Sequence, residues 1–188
     1  MIKGYVFLAD GFEIIEALAP VDIIRRGGIE YKTVSIMPTR RVTCNIGVPV
    51  EADLQFDEVK DFGDADLLVL PGGMPGADNL NKFEPLHKVL LKHYADGKHI
   101  GAICAAPMVL GGLGLLKGKR ITCYPGFENY MVGAEITHDV VITDGKITTA
   151  EGPAAAMPFA YELMRQFTGD KEVSELEGIM RFTHLMEK

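Results

Sequence analysis

Asp66-Leu67-Leu68-Val69-Leu70-Pro71-Gly72-Gly73 is the stretch that decides the architecture. Its apolar run is continuous rather than alternating, the pattern of a parallel strand covered on both faces, and it stops at once on residues that break a strand. The same unit recurs outward from it: a short run rich in β-branched residues, a Gly or Pro, then a helix-length stretch. Residues 4–8 read as a first strand, turned by Asp10-Gly11 into a helix over 13–26 that Gly27-Gly28 closes. Asp10 and Glu13 have the spacing of a capping box. Further strands are expected at 31–36, 99–103 and 120–123, with a hairpin from 140–143 to 146–149 around Asp144-Gly145. A ribbon of 42–44 and 48–51 is expected over an edge of the main sheet. Helices are expected at 84–96, about 106–110, 153–167 and 171–179.

No repeat, low-complexity segment or linker interrupts this alternation, so the expectation is one domain over residues 1–188. It is expected to be a three-layer α/β sandwich with an open, mostly parallel sheet. In such sheets ligands bind outside the carboxyl ends of the strands. Three loops qualify: 10–12, 71–75 and 103–107.

The composition narrows the partners. Across 188 residues, 26 Asp and Glu outweigh 19 Lys and Arg to give a net charge of −7, which disfavours a nucleic-acid backbone as principal partner and favours a small molecule or a protein. No apolar run reaches the roughly 20 residues of a membrane span, and no signal-like stretch follows Met1, so neither a membrane anchor nor secretion is expected and the location expected is cytoplasmic. Three cysteines are too few and too scattered for a disulfide framework. His87, His93, His99, His138 and His184 show no ligand spacing, so surface positions are expected for them, with no metal site.

Cys104 stands out in Ala102-Ile103-Cys104-Ala105-Ala106, where a thiol between a strand and a helix has small residues around it. That is the steric requirement of a nucleophile elbow, and a helix start beside it should lower the thiol pKa. The alternative is an inert buried cysteine. Glu16 lies among Ile14, Ile15, Ala17 and Leu18, with Pro20 four residues on; aliphatic surroundings raise a carboxyl pKa, and a proline bend can present it to a cleft. A solvated glutamate on an amphipathic helix fits the same residues equally well. Gly72 and Gly73 can turn successive N–H groups into the cleft as an oxyanion hole. Cys44 and Cys123 lack the elbow context and read as packed strand residues, although Cys123 near the elbow could resolve an oxidised Cys104.

These loops form a set that resembles the DJ/ThiJ/PfpI superfamily, in the branch of the parkinsonism-associated protein deglycase and its bacterial relatives. The resemblance is carried by Leu8-Ala9-Asp10-Gly11-Phe12-Glu13-Ile14-Ile15-Glu16, by residues 20–28, by Leu68-Val69-Leu70-Pro71-Gly72-Gly73, by Ala102-Ile103-Cys104-Ala105-Ala106-Pro107 and by Thr122-Cys123-Tyr124-Pro125-Gly126. It implies a flavodoxin-like sandwich that forms homodimers and needs no cofactor. Cys104 would be the oxidisable nucleophile and Glu16 the protonated carboxyl bonded to it, with Gly72, Gly73 and Ala105 around an anion pocket.

The activity implied is glutathione-independent conversion of methylglyoxal, or of its early adducts, to a hydroxy acid; the alternative is a redox sensor or redox-regulated chaperone using the same cysteine. Several positions depart from family patterns. Tyr124 stands where the branch's best-known member has a histidine, and Ala105 where the protease-like branch has its histidine. Ala102 and Ala106 replace the glycines of an amidotransferase elbow. Ile46 and Glu51 replace that best-known member's pocket arginine and surface cysteine.

Overall fold

The structure, a computed structural model, describes residues 1–187. In chain order the elements are β1 (Lys3–Leu8), α1 (Ile14–Arg26), β2 (Glu30–Ser35), β3 (Arg41–Thr43), β4 (Pro49–Glu51), β5 (Leu54–Gln55), β6 (Leu67–Leu70), α2 (Gly76–Lys82) and α3 (Glu84–Ala95). They continue with β7 (His99–Ile103), α4 (Pro107–Gly112), β8 (Arg120–Ile121), β9 (Glu135–Ile136), β10 (Val141–Asp144), β11 (Ile147–Ala150), α5 (Ala156–Thr168), α6 (Asp170–Ile179) and α7 (Phe182–Met186).

Seven strands form the main sheet in the order β10-β11-β7-β6-β1-β2-β5. Every pair is parallel except the β10–β11 hairpin. The chain moves from β1 outward to β2, then returns to the other side of β1 for β6 and β7. Right-handed crossovers in opposite directions put their helices on opposite faces of the sheet. Accordingly α1 packs with α5 on one face, and α2 and α3 cover the other. All four residues of β6 and all five of β7 are buried, which is why their runs carry no polar alternation.

The reversal between β1 and β6 opens the crevice at the carboxyl ends of these strands. The loops after β1, β6 and β7 converge there through close backbone contacts. A β-carbon on Gly73 would lie 2.3 Å from Glu13 N, and one on Gly76 would lie 2.5 Å from Phe12 N, so only glycine permits this approach.

Several expected boundaries shift. The capping box does not form: Glu13 is itself the N-cap, its carboxylate accepting from Ile15 N–H at 3.3 Å. Asp10 instead accepts from Thr43 N–H at 2.8 Å, because the chain is still turning at Gly11. The strand expected to run to Cys123 stops at Ile121, since Thr122 N–H is taken by the Thr149 hydroxyl at 2.9 Å and Tyr124 N–H by the Cys104 carbonyl at 2.9 Å. The ribbon is present as β3–β4 in a separate two-stranded sheet. The edge strand β5, the short strand β9 and the helices α2 and α7 are not among the expected elements. Among the described residues, no helix is long and apolar enough to cross a membrane.

Candidate active site

Cys104 follows β7 with φ +64, in the left-handed region that non-glycine residues rarely enter. Both of its backbone groups are tied down: its N–H donates to Ala150 O at 2.9 Å, and its carbonyl accepts from Tyr124 N–H at 2.9 Å. A strained residue held from both sides marks an elbow rather than an ordinary loop cysteine. Ala102, Ala105 and Ala106 are buried around it, leaving no volume for larger side chains, and Cys104 itself is 8% exposed.

Glu16, on the first turn of α1, is completely buried. Its Oε2 accepts from Gly72 N–H at 2.8 Å, and its carboxyl is paired with the Cys104 thiol. Oε1 is buried and has no hydrogen-bond partner among the described residues. Removal from water pushes the Glu16 carboxyl up to about 7. The solvated reading of this glutamate does not survive its burial.

The thiol does not show the depressed pKa expected from the sequence. Burial first, and then the Glu16 charge and the hydrogen bond to it, push Cys104 up to about 12 against the N–H groups of Gly73 and Ala105, which favour the thiolate. The expected helix field is weak because α4 begins three residues later and spans six residues. Two anions cannot sit side by side in this dry setting, so the pair binds one proton in common. With that proton on Glu16, the charge that opposes the thiolate disappears, while the Gly73 and Ala105 donors remain.

The two glycines take different parts. Gly72 N–H is used by Glu16, so Gly73 and Ala105, not Gly72, supply the donors beside sulfur. Tyr124 is 45% exposed, with its backbone against Cys104 and its ring beside Gly152 and edge-on to Phe127. Cys123 and Cys44 are buried free thiols, but neither is the strand residue expected: β8 ends at Ile121 and β3 at Thr43. Burial pushes Cys123 up to about 11, and Cys44 Sγ accepts from Val48 N–H at 3.3 Å.

Surface placement fails for two histidines. His93 and His99 are both 3% exposed; His93 Nε2 pairs with His99 O at 3.0 Å and His99 Nε2 with Thr148 Oγ1 at 3.0 Å. Burial pushes both down to about 4. Among the described residues, no group of three His, Cys, Asp or Glu side chains is arranged to hold a metal ion. The contact that the sequence did not disclose is Asn45 Nδ2–H donating to Glu13 Oε2 at 2.7 Å, which links the ribbon to the loop before Glu16.

A flavodoxin-like sheet with a strained cysteine elbow facing a buried carboxyl across the topological reversal defines the class. Within it, the chain belongs to the DJ-1/PfpI family, whose model matches residues 3–166. It is 37% identical over 178 residues to "Protein DJ-1 homolog B" of Arabidopsis thaliana, covering 94% of this chain but 40% of that protein, so it spans less than half of that relative's length. It is 29% identical to "Glutathione-independent glyoxalase DJR-1.2" of Caenorhabditis elegans, over 87% of each protein. A solved structure, "Toxoplasma gondii DJ-1, oxidized", superposes with a TM-score of 0.91 at 33% identity, covering 96% of this chain and 98% of that one.

Proposed function

We propose that the protein is a cysteine-dependent, glutathione-independent enzyme that converts small reactive dicarbonyls such as methylglyoxal to hydroxy acids. The observation that carries this reading is the pairing of a fully buried Glu16 with Cys104 at a strained elbow. The glyoxalase name of the Caenorhabditis elegans relative supports it.

The chemistry follows from the groups present. The Cys104 thiolate adds to the aldehyde carbon, forming a C–S bond, and the Gly73 and Ala105 N–H groups beside the sulfur are the donors available to the resulting alkoxide. Glu16, a carboxylate once it has given its proton to that alkoxide, then removes the proton from the same carbon and returns it to the neighbouring one through an enediol. One carbon is oxidised and its neighbour reduced, so no external electron acceptor is required. Water cleaves the resulting thioester, releasing lactate and regenerating the thiol. Tyr124, exposed at the rim, is a neighbour of the substrate with no assigned proton transfer.

Homodimerisation is part of the proposal. Ile15 at the start of α1 is 52% exposed, and Ile46 and Val48 at the ribbon tip are 70% and 42% exposed. The Asn45–Glu13 hydrogen bond brings these two segments together, so one symmetric contact would cover all three side chains. The function is tested by following methylglyoxal and lactate together, without glutathione or added metal: loss of one matched by appearance of the other supports it, and loss without lactate opposes it.

A further inference from the structure

Asn45, at the tip of the β3–β4 ribbon, begins a chain of contacts that ends on the thiol. Its side-chain N–H donates to Glu13 Oε2 at 2.7 Å, while its backbone N–H donates to Phe12 O at 2.9 Å. Glu13 passes the contact on, since its N–H donates to Gly72 O at 2.9 Å. Gly72 N–H then holds Glu16 Oε2 at 2.8 Å, and Glu16 is paired with Cys104. The Asn45 side chain is exposed in the single chain, beside the patch proposed to meet a second copy, so it contributes nothing to the core.

We propose that Asn45 is a positioning residue for the Glu16–Cys104 pair, acting through the Glu13 carboxylate that it clamps one helical turn before Glu16. Residues three apart at the start of a helix share a face, so Glu13 and Glu16 are neighbours. A like charge disfavours ionisation of its neighbour, and an amide donor on Glu13 withdraws part of that field. Without the donor, Glu13 confronts the pair at full strength, and the pair gives up the first of its two protons, the step that leaves a thiolate, at higher pH. The ionisable groups acting on Glu16 are Cys104 and Glu13, and Glu16 acts on the thiol. The ribbon residues at this contact are Thr43, Cys44, Asn45 and Ile46, with no Asp, Glu, Lys, Arg or His among them; the Cys44 thiol is buried and accepts from Val48 N–H at 3.3 Å, so the amide is the ribbon's electrostatic lever on Glu13.

The inference rests on the reading of Cys104 and Glu16 as the reactive pair, and its test does not require turnover. Alkylation of Cys104 by iodoacetamide is followed by peptide mass analysis from about pH 5 to about pH 9. The proteins compared are the unsubstituted chain, Asn45→Ala, Asn45→Asp, Glu13→Gln and the Asn45→Ala/Glu13→Gln double variant. Asn45→Ala should raise the midpoint of the rate profile by about half a pH unit, Asn45→Asp should raise it further, and Glu13→Gln should lower it.

In the Glu13→Gln background, Asn45→Ala should have no effect. That non-additivity separates electrostatic positioning from support of the ribbon, because the backbone bonds of Asn45 do not depend on the Glu13 charge. An unshifted Asn45→Ala profile, or the same shift with and without the Glu13 carboxylate, overturns the inference. If Cys104 of the unsubstituted protein alkylates no faster than Cys44 and Cys123, the reading beneath it falls, and this inference with it.

Discussion

Gly72 stands between Glu16 and Cys104: its N–H donates to Glu16 Oε2 at 2.8 Å, and a β-carbon built on it would lie 2.8 Å from Cys104 Cβ. The same β-carbon would lie 2.7 Å from Glu16 Oε2 and 2.9 Å from Ile103 O. Glu16 and Cys104 can pair because the residue separating them has no side chain.

Gly72→Ala should therefore separate the pair. Ile103 O is strand backbone and cannot swing away, so the strain falls on Glu16 and Cys104. Destabilisation of about 1–3 kcal/mol is expected from overpacking, read by urea denaturation. Cys104 alkylation should change at least about tenfold in the folded variant, a difference of about 1.4 kcal/mol in the barrier. An unchanged alkylation rate would mean that the pair tolerates a methyl group and that the close contact is unimportant.

Substitutions at Glu16 separate a proton-transfer role from a scaffold role. Glu16→Gln retains a hydrogen-bonding group of the same length and should leave Cys104 alkylation within a few-fold, while costing about 10²-fold or more in dicarbonyl turnover. Glu16→Asp withdraws the carboxyl by one methylene and should harm both. Full dicarbonyl turnover in Glu16→Gln would reassign the proton transfer to another group.

His93 and His99 make stability fall on the acid side. Their pKa values near 4 in the folded chain lie below the ordinary 6.5, so the unfolded chain binds more protons between these values. Their contribution is complete above about pH 6.5 and is lost as pH falls to about 4, with an upper bound of about 3 kcal/mol for each residue. Glu16, raised from 4.5 to about 7, runs the opposite way: its contribution is present below 4.5 and lost as pH rises through 7. The histidine effect is therefore read by difference. His93→Gln, which keeps a nitrogen donor for His99 O, should lose less stability than the unsubstituted chain between pH 7 and 4.5 in urea melts. Equal losses would show that His93 is not held neutral.

The sheet was legible because β6 and β7 are buried on both faces, which leaves continuous apolar runs closed by Pro-Gly-Gly and by the small residues of the elbow. β5 was hidden because two residues, Leu54 and Gln55, carry no periodicity. α2 was hidden because its Gly and Asn content opposes a helix, which forms there by burying Gly76, Ala77 and Leu80. The histidines were misplaced because their backbone and hydroxyl partners, His99 O and Thr148 Oγ1, become visible only after the chain has folded. The elbow could be read from the size of its neighbours, whereas the division of labour between Gly72 and Gly73 depends on which N–H turns toward which acid, and sequence carries no sign of that.

The apolar patch of Ile15, Ile46 and Val48 predicts a dimer. Light scattering at micromolar concentration should return about twice 20.5 kDa, and Ile46→Glu should shift the protein toward one chain, since a charge in the centre of such a contact is costly to bury. A single-chain mass for the unsubstituted protein would contradict the prediction.

That Cys104 is the nucleophile of dicarbonyl conversion is checked by lactate formation from methylglyoxal with purified protein and with Cys104→Ser, both shown folded and supplied with neither glutathione nor added metal. Steady lactate production is expected from the unsubstituted protein and none above the buffer rate from Cys104→Ser. Equal lactate production by the two proteins, or none from the unsubstituted protein, would contradict it.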